Sequence, residues 1–335
     1  MPWIASFLRR LGRLLTTLLC AAGALANWPA GAQAFPTKPL TLVSPFAAGG
    51  TSDVIARATA RLLEPELGQP VIVVNRPGAG GTIGVASVLA PAQDGHTLVM
   101  GGLGSVVFPA ELYRARIKYD PPRDLLPVGV VGMAPTVIAV RAELPARNLA
   151  ELVALAKAAP KRYAYASAGT GGTLHVAGVL LEREAGIQLN HVPYRGGAPA
   201  VTDLMAGNVD IALADMTLLK PALDSGRARA IAVASGERLA ALPGVPTTAE
   251  AGFPGVRMDT WYALFAPAAT PAAVVDRLRG ALERAKARTE LASVLQSQSI
   301  LPLTTSAQRF EEQLKRDYEL WLPLLKKICS ESSCD

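Results

Sequence analysis

Short apolar runs of strand type alternate with longer helical runs along most of the chain. In the first third, the pattern predicts strands at Leu40–Ser44, Val71–Asn75 and Thr97–Gly101, with helices at Asp53–Leu67 and Gly81–Ala90 between them. The same alternation resumes after residue 150. Strands that alternate with crossover helices pair in parallel, with helices on both faces of the sheet. The chain is therefore predicted to be an α/β protein with doubly wound, parallel sheets.

A stretch rich in Pro and Val separates the two alternating regions. Its part Val137–Val140 is predicted to be a strand that crosses from one domain to the other, and a second crossing is expected near Trp261–Ala266. We therefore expect two doubly wound domains joined by two crossing strands, with a ligand cleft between them. Residues 35–136 and 260–335 would form domain 1, and residues 137–259 would form domain 2.

The first predicted strand runs into a glycine-rich turn and then into a helix. This first turn, residues 45–53, reads Pro-Phe-Ala-Ala-Gly-Gly-Thr-Ser-Asp. Its glycines let a ligand approach the main chain, and Thr51, Ser52 and Asp53 are good N-caps for the following helix. The free N–H groups at a helix start attract a carboxylate. The predicted ligand contacts in this turn are Phe46, Ala47, Ala48, Gly49, Gly50, Thr51 and Asp53.

A second turn of the same kind follows the strand predicted at Tyr163–Ala166. Either turn alone would also fit an ordinary connection between a strand and a helix, but two of them favour a binding site. Neither has the third glycine of a dinucleotide-binding G-x-G-x-x-G motif, and no Gly-Lys-Ser/Thr sequence occurs. Two uncharged helix starts suit a small organic acid better than a polyphosphate. The predicted contacts of this second turn, residues 167–173, are Ser167, Gly169, Thr170, Gly171, Gly172 and Thr173.

The first 34 residues are predicted to be an export signal. Arg9, Arg10 and Arg13 precede the apolar segment Leu14–Ala26, and an Ala-x-Ala site ends at Ala34. We expect cleavage after Ala34 and a periplasmic location. Cys20 leaves a lipoprotein alternative open, although Leu19 stands before it where a small residue is expected, and the arginine pair is a weak indication of twin-arginine export.

Charge and cysteine content indicate which classes of binding partner and which disulfide to expect. The formal net charge is +6, and three of the excess arginines lie in the predicted signal. No run of Lys and Arg with interleaved aromatic residues occurs, which argues against nucleic acid as a partner. The periplasm permits disulfides, so we expect Cys329 and Cys334 to pair across a small loop.

The residue types needed for common enzyme sites do not occur at the required spacing. Tyr165 stands where a G-x-S-x-G nucleophile motif around Ser167 needs glycine, and no H-E-x-x-H sequence is present. The three histidines, His96, His175 and His191, are widely spaced and favour structural roles over metal binding. We expect no catalytic residue, no metal and no cofactor. Asp215, after a strand predicted to end at Ala214, is expected at the cleft mouth as a reader of a ligand amine or hydroxyl.

Several longer blocks of sequence resemble one family in the expected order. The blocks are Phe35–Pro39, Pro45–Gly50 with Asp53, Asn75–Gly81, Asp94–Leu98, His191–Gly196, Pro199 and Ala200 with Asp203 and Leu204, Val209 and Asp210, Leu242–Thr247 with Glu250–Gly252, and Ala266 with Pro267. With these blocks the chain is similar to extracytoplasmic solute receptors of the Bug type, the substrate-binding proteins of tripartite tricarboxylate transporters, over essentially all residues after the signal. Two features differ from the usual pattern: His96 stands where the family commonly has Tyr, and the tail with two cysteines is atypical.

The resemblance implies a two-lobed periplasmic-binding-protein fold of type II that closes on a small carboxylate and passes it to a membrane permease. It also implies that main-chain groups of Phe46–Asp53 hold the ligand's carboxylate. Side chains that differ among family members would contact the opposite end of the ligand. We expect a monomer. Two other functions stay open: a ligand sensor that presents its closed form to a two-component sensor kinase, and a periplasmic hydrolase.

Overall fold

A computed structural model describes residues 35–90 and 92–331, with side chains described up to residue 327. The predicted signal, its cleavage after Ala34 and the Cys329–Cys334 pairing lie outside the described residues. The chain divides into two compact units, Met1–Thr37 and Lys38–Asp335, and the second holds every element described below. None of the helices among the described residues is long and apolar enough to cross a membrane.

The strands and helices follow one another largely as predicted. The strands are β1 (Leu40–Ser44), β2 (Val71–Asn75), β3 (Thr97–Gly102), β4 (Leu125–Arg141), β5 (Ala164–Ser167), β6 (Asn190–Pro193), β7 (Ile211–Asp215), β8 (Ala228–Val233), β9 (Asp259–Pro267) and β10 (Leu301–Pro302). The α-helices are α1 (Thr51–Leu67), α2 (Thr82–Leu89), α3 (Leu103–Val106), α4 (Pro109–Leu112), α5 (Pro121–Asp124), α6 (Leu149–Ala158), α7 (Thr173–Ala185), α8 (Gly197–Ala206), α9 (Met216–Asp224), α10 (Ala272–Lys286), α11 (Thr289–Ser297) and α12 (Ala307–Glu331).

The sheet is mixed, whereas the sequence predicted parallel pairing. Its strand order is β2-β1-β3-β9-β4-β7-β5-β6, with β8 and β10 paired to β4. Pairing is parallel within β2-β1-β3 and within β7-β5-β6, as the crossover helices require. The two central strands β4 and β9 run antiparallel to each other and to their neighbours. We call β1–β3 the first strand set and β5–β7 the second.

The strand β4 links the two strand sets. Its residues 125–135 pair with β9, and its residues 136–140 pair with β7. The sequence predicted only Val137–Val140 as a strand here, because the strand pattern of residues 125–136 is interrupted by Pro127, Gly129 and Gly132. These residues lie at two register shifts against β9, where a proline or glycine interrupts regular pairing. The predicted return strand Trp261–Ala266 lies within β9.

Buried apolar residues explain the helices that pack on the sheet. Helix α1 buries Ile55, Leu62 and Leu63 and ends at Gly68, whose φ of 71° gives it the left-handed conformation common after a helix. Helix α10 packs against α1, and α12 packs against β4. The sequence missed α11, a short helix that buries only Leu291 and Leu295.

The C-terminal helix is fixed to the return strand by an aromatic cluster. Trp261 packs against the rings of Phe265 and Phe310, and its Nε1 donates a hydrogen bond of 2.8 Å to Asp317 on α12. Residues 307–327 therefore pack beside the central strands. The boundaries predicted for the two domains remain predictions.

Candidate functional site

The two glycine-rich turns meet at one cavity, which we call the central cavity. The first turn contributes Phe46, Gly50, Thr51 and Ser52 to its wall, and the second turn contributes Ala168, Gly172 and Thr173. These turns are more than a hundred residues apart in the chain. The strand order brings them together, because both lie at the carboxyl ends of parallel strands that face each other across β4 and β9.

The first turn exposes the start of α1 to the central cavity. Gly50 is the N-cap of α1 and Thr51 is its first helical residue, so the prediction that Thr51, Ser52 or Asp53 would cap the helix is wrong. The backbone at Gly49 has a φ of 78°, which favours glycine, whereas Gly50 has a φ of −74° that any residue adopts. The N–H groups of the first helical turn have no partner within the helix and are available to an anion.

The carboxylate of Asp53 organises this turn. It accepts hydrogen bonds from the backbone N–H of Gly49 (3.0 Å), from Asn75 (2.9 Å) and from Arg57 (3.0 Å). Burial alone would raise the pKa of Asp53, but the hydrogen bonds from Arg57, Gly49 and Asn75 outweigh it and lower the pKa. Asp53 does not line the central cavity, so its geometry indicates that it positions the turn.

The second turn has the same arrangement. Gly172 is the N-cap of α7, and Thr173 is the first helical residue. Gly169 and Gly171 have φ values of 134° and 73°, which a side chain would strain. The Ser167 hydroxyl accepts a hydrogen bond of 3.2 Å from the Gly169 N–H, which holds the turn against the end of β5.

A stack of aromatic rings lies behind the second turn. The ring of His191 stacks on His175, with 4.1 Å between centroids, and on Tyr165, with 4.8 Å between centroids. His175 Nδ1 accepts a hydrogen bond of 3.0 Å from the Gly171 N–H. His191 Nε2 lies 2.7 Å from the hydroxyl of Ser167. The structural roles predicted for these two histidines therefore have a definite form, since both hold the second turn in place.

Burial keeps both stacked histidines neutral at neutral pH. Desolvation lowers the pKa of His175 to about 3, with a further contribution from the neighbouring His191. Desolvation also lowers the pKa of His191 to about 4. A neutral ring with Nδ1 as acceptor is the form that the hydrogen bond from Gly171 requires.

Asp215 lies in the wall of the central cavity. Only 3% of it is exposed, so the predicted position at the cleft mouth is wrong. Its Oδ2 accepts a hydrogen bond of 3.1 Å from the Tyr262 hydroxyl on β9. Its Oδ1 is buried and has no hydrogen bond to any described residue. Burial raises the pKa of Asp215 to about 6, although the nearby hydroxyls of Thr51 and Tyr262 lower it in part.

Sequence reasoning missed a third turn that contributes to the cavity. Gly102 ends β3, and Gly104 and Ser105 follow it. All three line the central cavity, as do Thr260 and Tyr262 from β9. The run Gly101-Gly102-Leu103-Gly104-Ser105 comes after a predicted strand and has the composition of the two turns that were recognised. That similarity was the available signal, whereas nothing in the sequence indicated Tyr262.

Other predicted contacts lie outside the central cavity. Gly169 and Thr170 line a neighbouring pocket together with Phe46 and Tyr194, which we call the outer pocket. The Tyr113 hydroxyl donates a hydrogen bond of 2.7 Å to the Thr170 carbonyl there. The remaining predicted contacts that line neither the central cavity nor the outer pocket are Ala47, Ala48, Gly49, Asp53, Ser167 and Gly171.

The chemistry available in the central cavity is that of hydrogen bonding to a small polar ligand. Its wall contains no lysine, arginine or histidine side chain among the described residues. No group of three or more His, Cys, Asp or Glu residues in the described part of the chain could hold a metal ion. Backbone N–H groups and the hydroxyls of Ser, Thr and Tyr are the donors that the wall offers.

Comparison with known proteins shows similarity over nearly the whole chain. Residues 55–329 match the family described as tripartite tricarboxylate transporter family receptor. A protein encoded in the tcbD-tcbE intergenic region of Pseudomonas sp. (strain P51) is 36% identical over 325 residues, which cover 97% of this chain and 96% of that relative.

Two solved structures share the fold. The periplasmic binding protein BugD is 33% identical, with a TM-score of 0.83, and the match covers 88% of this chain and 98% of that one. MatC from Rhodopseudomonas palustris, solved with bound malate, is 31% identical, with a TM-score of 0.82, and the match covers 87% of this chain and 100% of that one.

Proposed function

Because this chain belongs to the tripartite tricarboxylate transporter receptor family, we propose that its central cavity captures one small carboxylate through the two glycine-rich turns. The chain is a solute-binding protein of the Bug type with the two-lobed α/β fold of periplasmic binding proteins. The proposal concerns the residues that hold the ligand, and its main support is that helices α1 and α7 both begin at this cavity.

Two helix starts from different strand sets give a carboxylate its binding energy. The first-turn N–H groups of each helix carry partial positive charge and lack partners within the helix. Thr51 and Thr173 add a hydroxyl to each helix start. A carboxylate has two oxygens with several acceptor positions, so it can bond to donors from both turns at once. Binding of this kind favours the arrangement in which the two strand sets are close together.

The bound malate of MatC supports a small organic acid as the ligand class. Malate carries carboxylate and hydroxyl groups, and the cavity wall supplies donors and acceptors for both. In this proposal Phe46, Gly50, Thr51, Gly172, Thr173 and Asp215 contact the ligand directly. Gly49, Asp53, Ser167 and Gly169 to Gly171 set the conformation of the two turns.

We further propose that the mature protein begins after Ala34, works in the periplasm as a monomer and delivers its ligand to the membrane subunits of a tripartite transporter. The family consists of periplasmic receptors, which supports export. The alternative role as a sensor for a two-component kinase would use the same cavity. No observation on the described residues favours it.

A catalytic role has little support in the geometry. Ser167 and His191 are close enough for a nucleophile and its base, at 2.7 Å. The serine is completely buried, however, and its hydroxyl also bonds within its own turn. A nucleophile must reach a substrate, so we propose that this pair is structural and that the protein is not an enzyme.

A ligand screen tests the proposal. The mature protein is unfolded, dialysed and refolded to remove any retained ligand, and its melting temperature is measured with acetate, malate, citrate, benzoate and glutamate. A ligand at 100 times its dissociation constant adds about 2.7 kcal/mol, which raises the melting temperature of a protein of this size by a few degrees. Calorimetry then gives the affinity. If none of the five acids raises the melting temperature or releases heat, the proposal is wrong.

A further inference from the structure

Asp215 has an unusual position for a carboxyl group in an anion-binding cavity. Its side chain lies next to Thr51, the first residue of α1, where the ligand's carboxylate is proposed to bind. Two ionised carboxylates side by side in a buried site repel each other strongly. The wall of the central cavity has no cationic side chain among the described residues to compensate.

The hydrogen bonds of Asp215 leave one oxygen without a partner. Oδ2 accepts from the Tyr262 hydroxyl at 3.1 Å, whereas Oδ1 is buried and accepts no hydrogen bond from the described residues. An ionised, buried Oδ1 with no hydrogen bond of normal geometry is costly, and the unpaired Thr51 hydroxyl near this carboxyl group offsets the cost only in part. A protonated Oδ1 becomes a donor, and a carboxylate is the strongest acceptor that a ligand of the proposed class could offer it.

We propose that Asp215 binds the ligand as a neutral carboxylic acid, with its Oδ1 hydroxyl donating to the ligand's carboxylate, so that each ligand captured takes up one proton from solvent. The inference rests on the proposed function, because it needs a carboxylate in the central cavity. It makes Asp215 a residue that selects anions over ligands that present an ammonium group at this position.

The surroundings of Asp215 support this assignment. The groups that face it are the hydroxyls of Tyr262 from β9 and Thr51 from α1, and its β4 partner is Thr136. Burial raises the pKa of Asp215 to about 6, so the proton is within reach at neutral pH. Tyr262 stays protonated, because burial and Asp215 raise its pKa well above the usual value. The ion pair on α1, Asp53 with Arg57, stays ionised because the pKa of Asp53 is lowered.

Other groups near the cavity do not titrate in the same range. The pKa values of His175 and His191 are lowered to about 3 and about 4, so both rings stay neutral above about pH 6. A dependence of ligand affinity on pH between about 7 and 8.5 would therefore report on Asp215 within this site.

The test uses whichever of acetate, malate, citrate, benzoate and glutamate binds most tightly. Titration calorimetry at about pH 7.5, in two buffers with different ionisation enthalpies, gives the number of protons taken up, and we expect about one. Affinity should fall about tenfold per pH unit from about pH 7 to 8.5. Asp215→Asn, which is always neutral and donates through its amide, should bind at about pH 8.5 at least as tightly as the parent, with no proton uptake.

Asp224→Asn is the matched control, because Asp224 is an exposed carboxylate on α9 that pairs with Lys220. This variant should keep the parent's proton uptake and pH slope. If a carboxylate binds without proton uptake, or if affinity rises with pH as for an ammonium ligand, the inference is wrong while the proposed function stands. If none of the five acids binds, both are wrong. The proton count on the parent protein does not depend on whether Asp215→Asn folds.

Discussion

A β-carbon placed on Gly104 would lie 2.6 Å from the backbone nitrogen of Thr173. Gly104 lies in α3, directly after the first strand set, and Thr173 begins α7 in the second. Both residues line the central cavity. The close approach of the two strand sets at this point therefore depends on the absence of a side chain at residue 104.

Gly104→Ala should weaken ligand binding by at least about tenfold, or 1.4 kcal/mol, because the added methyl group keeps the two sets apart. Calorimetric affinity and small-angle scattering with and without ligand measure the effect. Gly244→Ala is the control, since a β-carbon there meets no atom within 4 Å. Equal affinity and equal compaction for Gly104→Ala and the parent would show that the contact does not govern closure.

The hydrogen bond from Tyr113 to the Thr170 carbonyl joins the same two sets at the outer pocket. Tyr113→Phe removes it and keeps the ring, so ligand affinity should fall by about 0.5 to 1.5 kcal/mol. The melting temperature without ligand should change little. Tyr163→Phe is the control. Tyr163 directly precedes β5 and its ring packs against Arg162, so this variant should bind the ligand as the parent does. A Tyr113→Phe protein of undiminished affinity would contradict the role of this bond.

Substitutions at the two helix starts should weaken ligand binding to different extents. A β-carbon on Gly50 would lie 3.1 Å from the Ala47 carbonyl oxygen, so Gly50→Val should crowd the first turn and abolish binding. Thr173→Val keeps the volume and removes one hydroxyl, so it should weaken binding by about 1 to 3 kcal/mol. Calorimetry on folded protein, checked by circular dichroism, measures both. Unchanged affinity in either variant would place the ligand elsewhere.

The stability of the ligand-free protein should depend on the charge of Asp215. Its folded pKa, about 6, is above the value of 3.8 expected when unfolded, so the folded state loses stability as pH rises between these values. Asp215→Asn removes this loss. The free energy of unfolding of the variant relative to the parent should therefore rise by about 1 to 3 kcal/mol between pH 4 and pH 8. Urea unfolding at several pH values measures it, and a constant difference would contradict it.

The stacked histidines should limit stability in acid. The pKa of His175 falls from 6.5 to about 3 on folding. Below about pH 6.5 the unfolded state therefore binds a proton that the folded state does not bind, and this lowers the free energy of unfolding. This effect costs about 1.4 kcal/mol per pH unit for each such histidine until the folded state itself is protonated. His175→Gln keeps an acceptor for the Gly171 N–H and should lose less stability between pH 7 and pH 5. Parallel losses in parent and variant, measured by urea unfolding, would show otherwise.

Local sequence patterns determined the elements and the family. The strands β1 and β2 have the bounds that were predicted, because short apolar runs and glycine-rich turns act over a few neighbouring residues. The family resemblance was confirmed by the match over residues 55–329. Where Pro and Gly interrupt the pattern, as in β4, the strand is longer than its sequence indicates, since pairing with β9 on one side overrides local preference.

Only the tertiary structure decided the chemistry of the central cavity. Asp215 and Tyr262 are 47 residues apart, and Thr51 is farther away still, yet the three side chains share one buried site. The same holds for His175 on α7 and His191 on β6, whose rings stack. A pKa depends on solvent access and on groups within a few ångströms, and β4 and β9 bring those groups together from distant parts of the chain. The sequence determined where the chain forms strands and glycine-rich turns, because those preferences are local, whereas burial and charge at the site depend on long-range pairing that no local pattern contains.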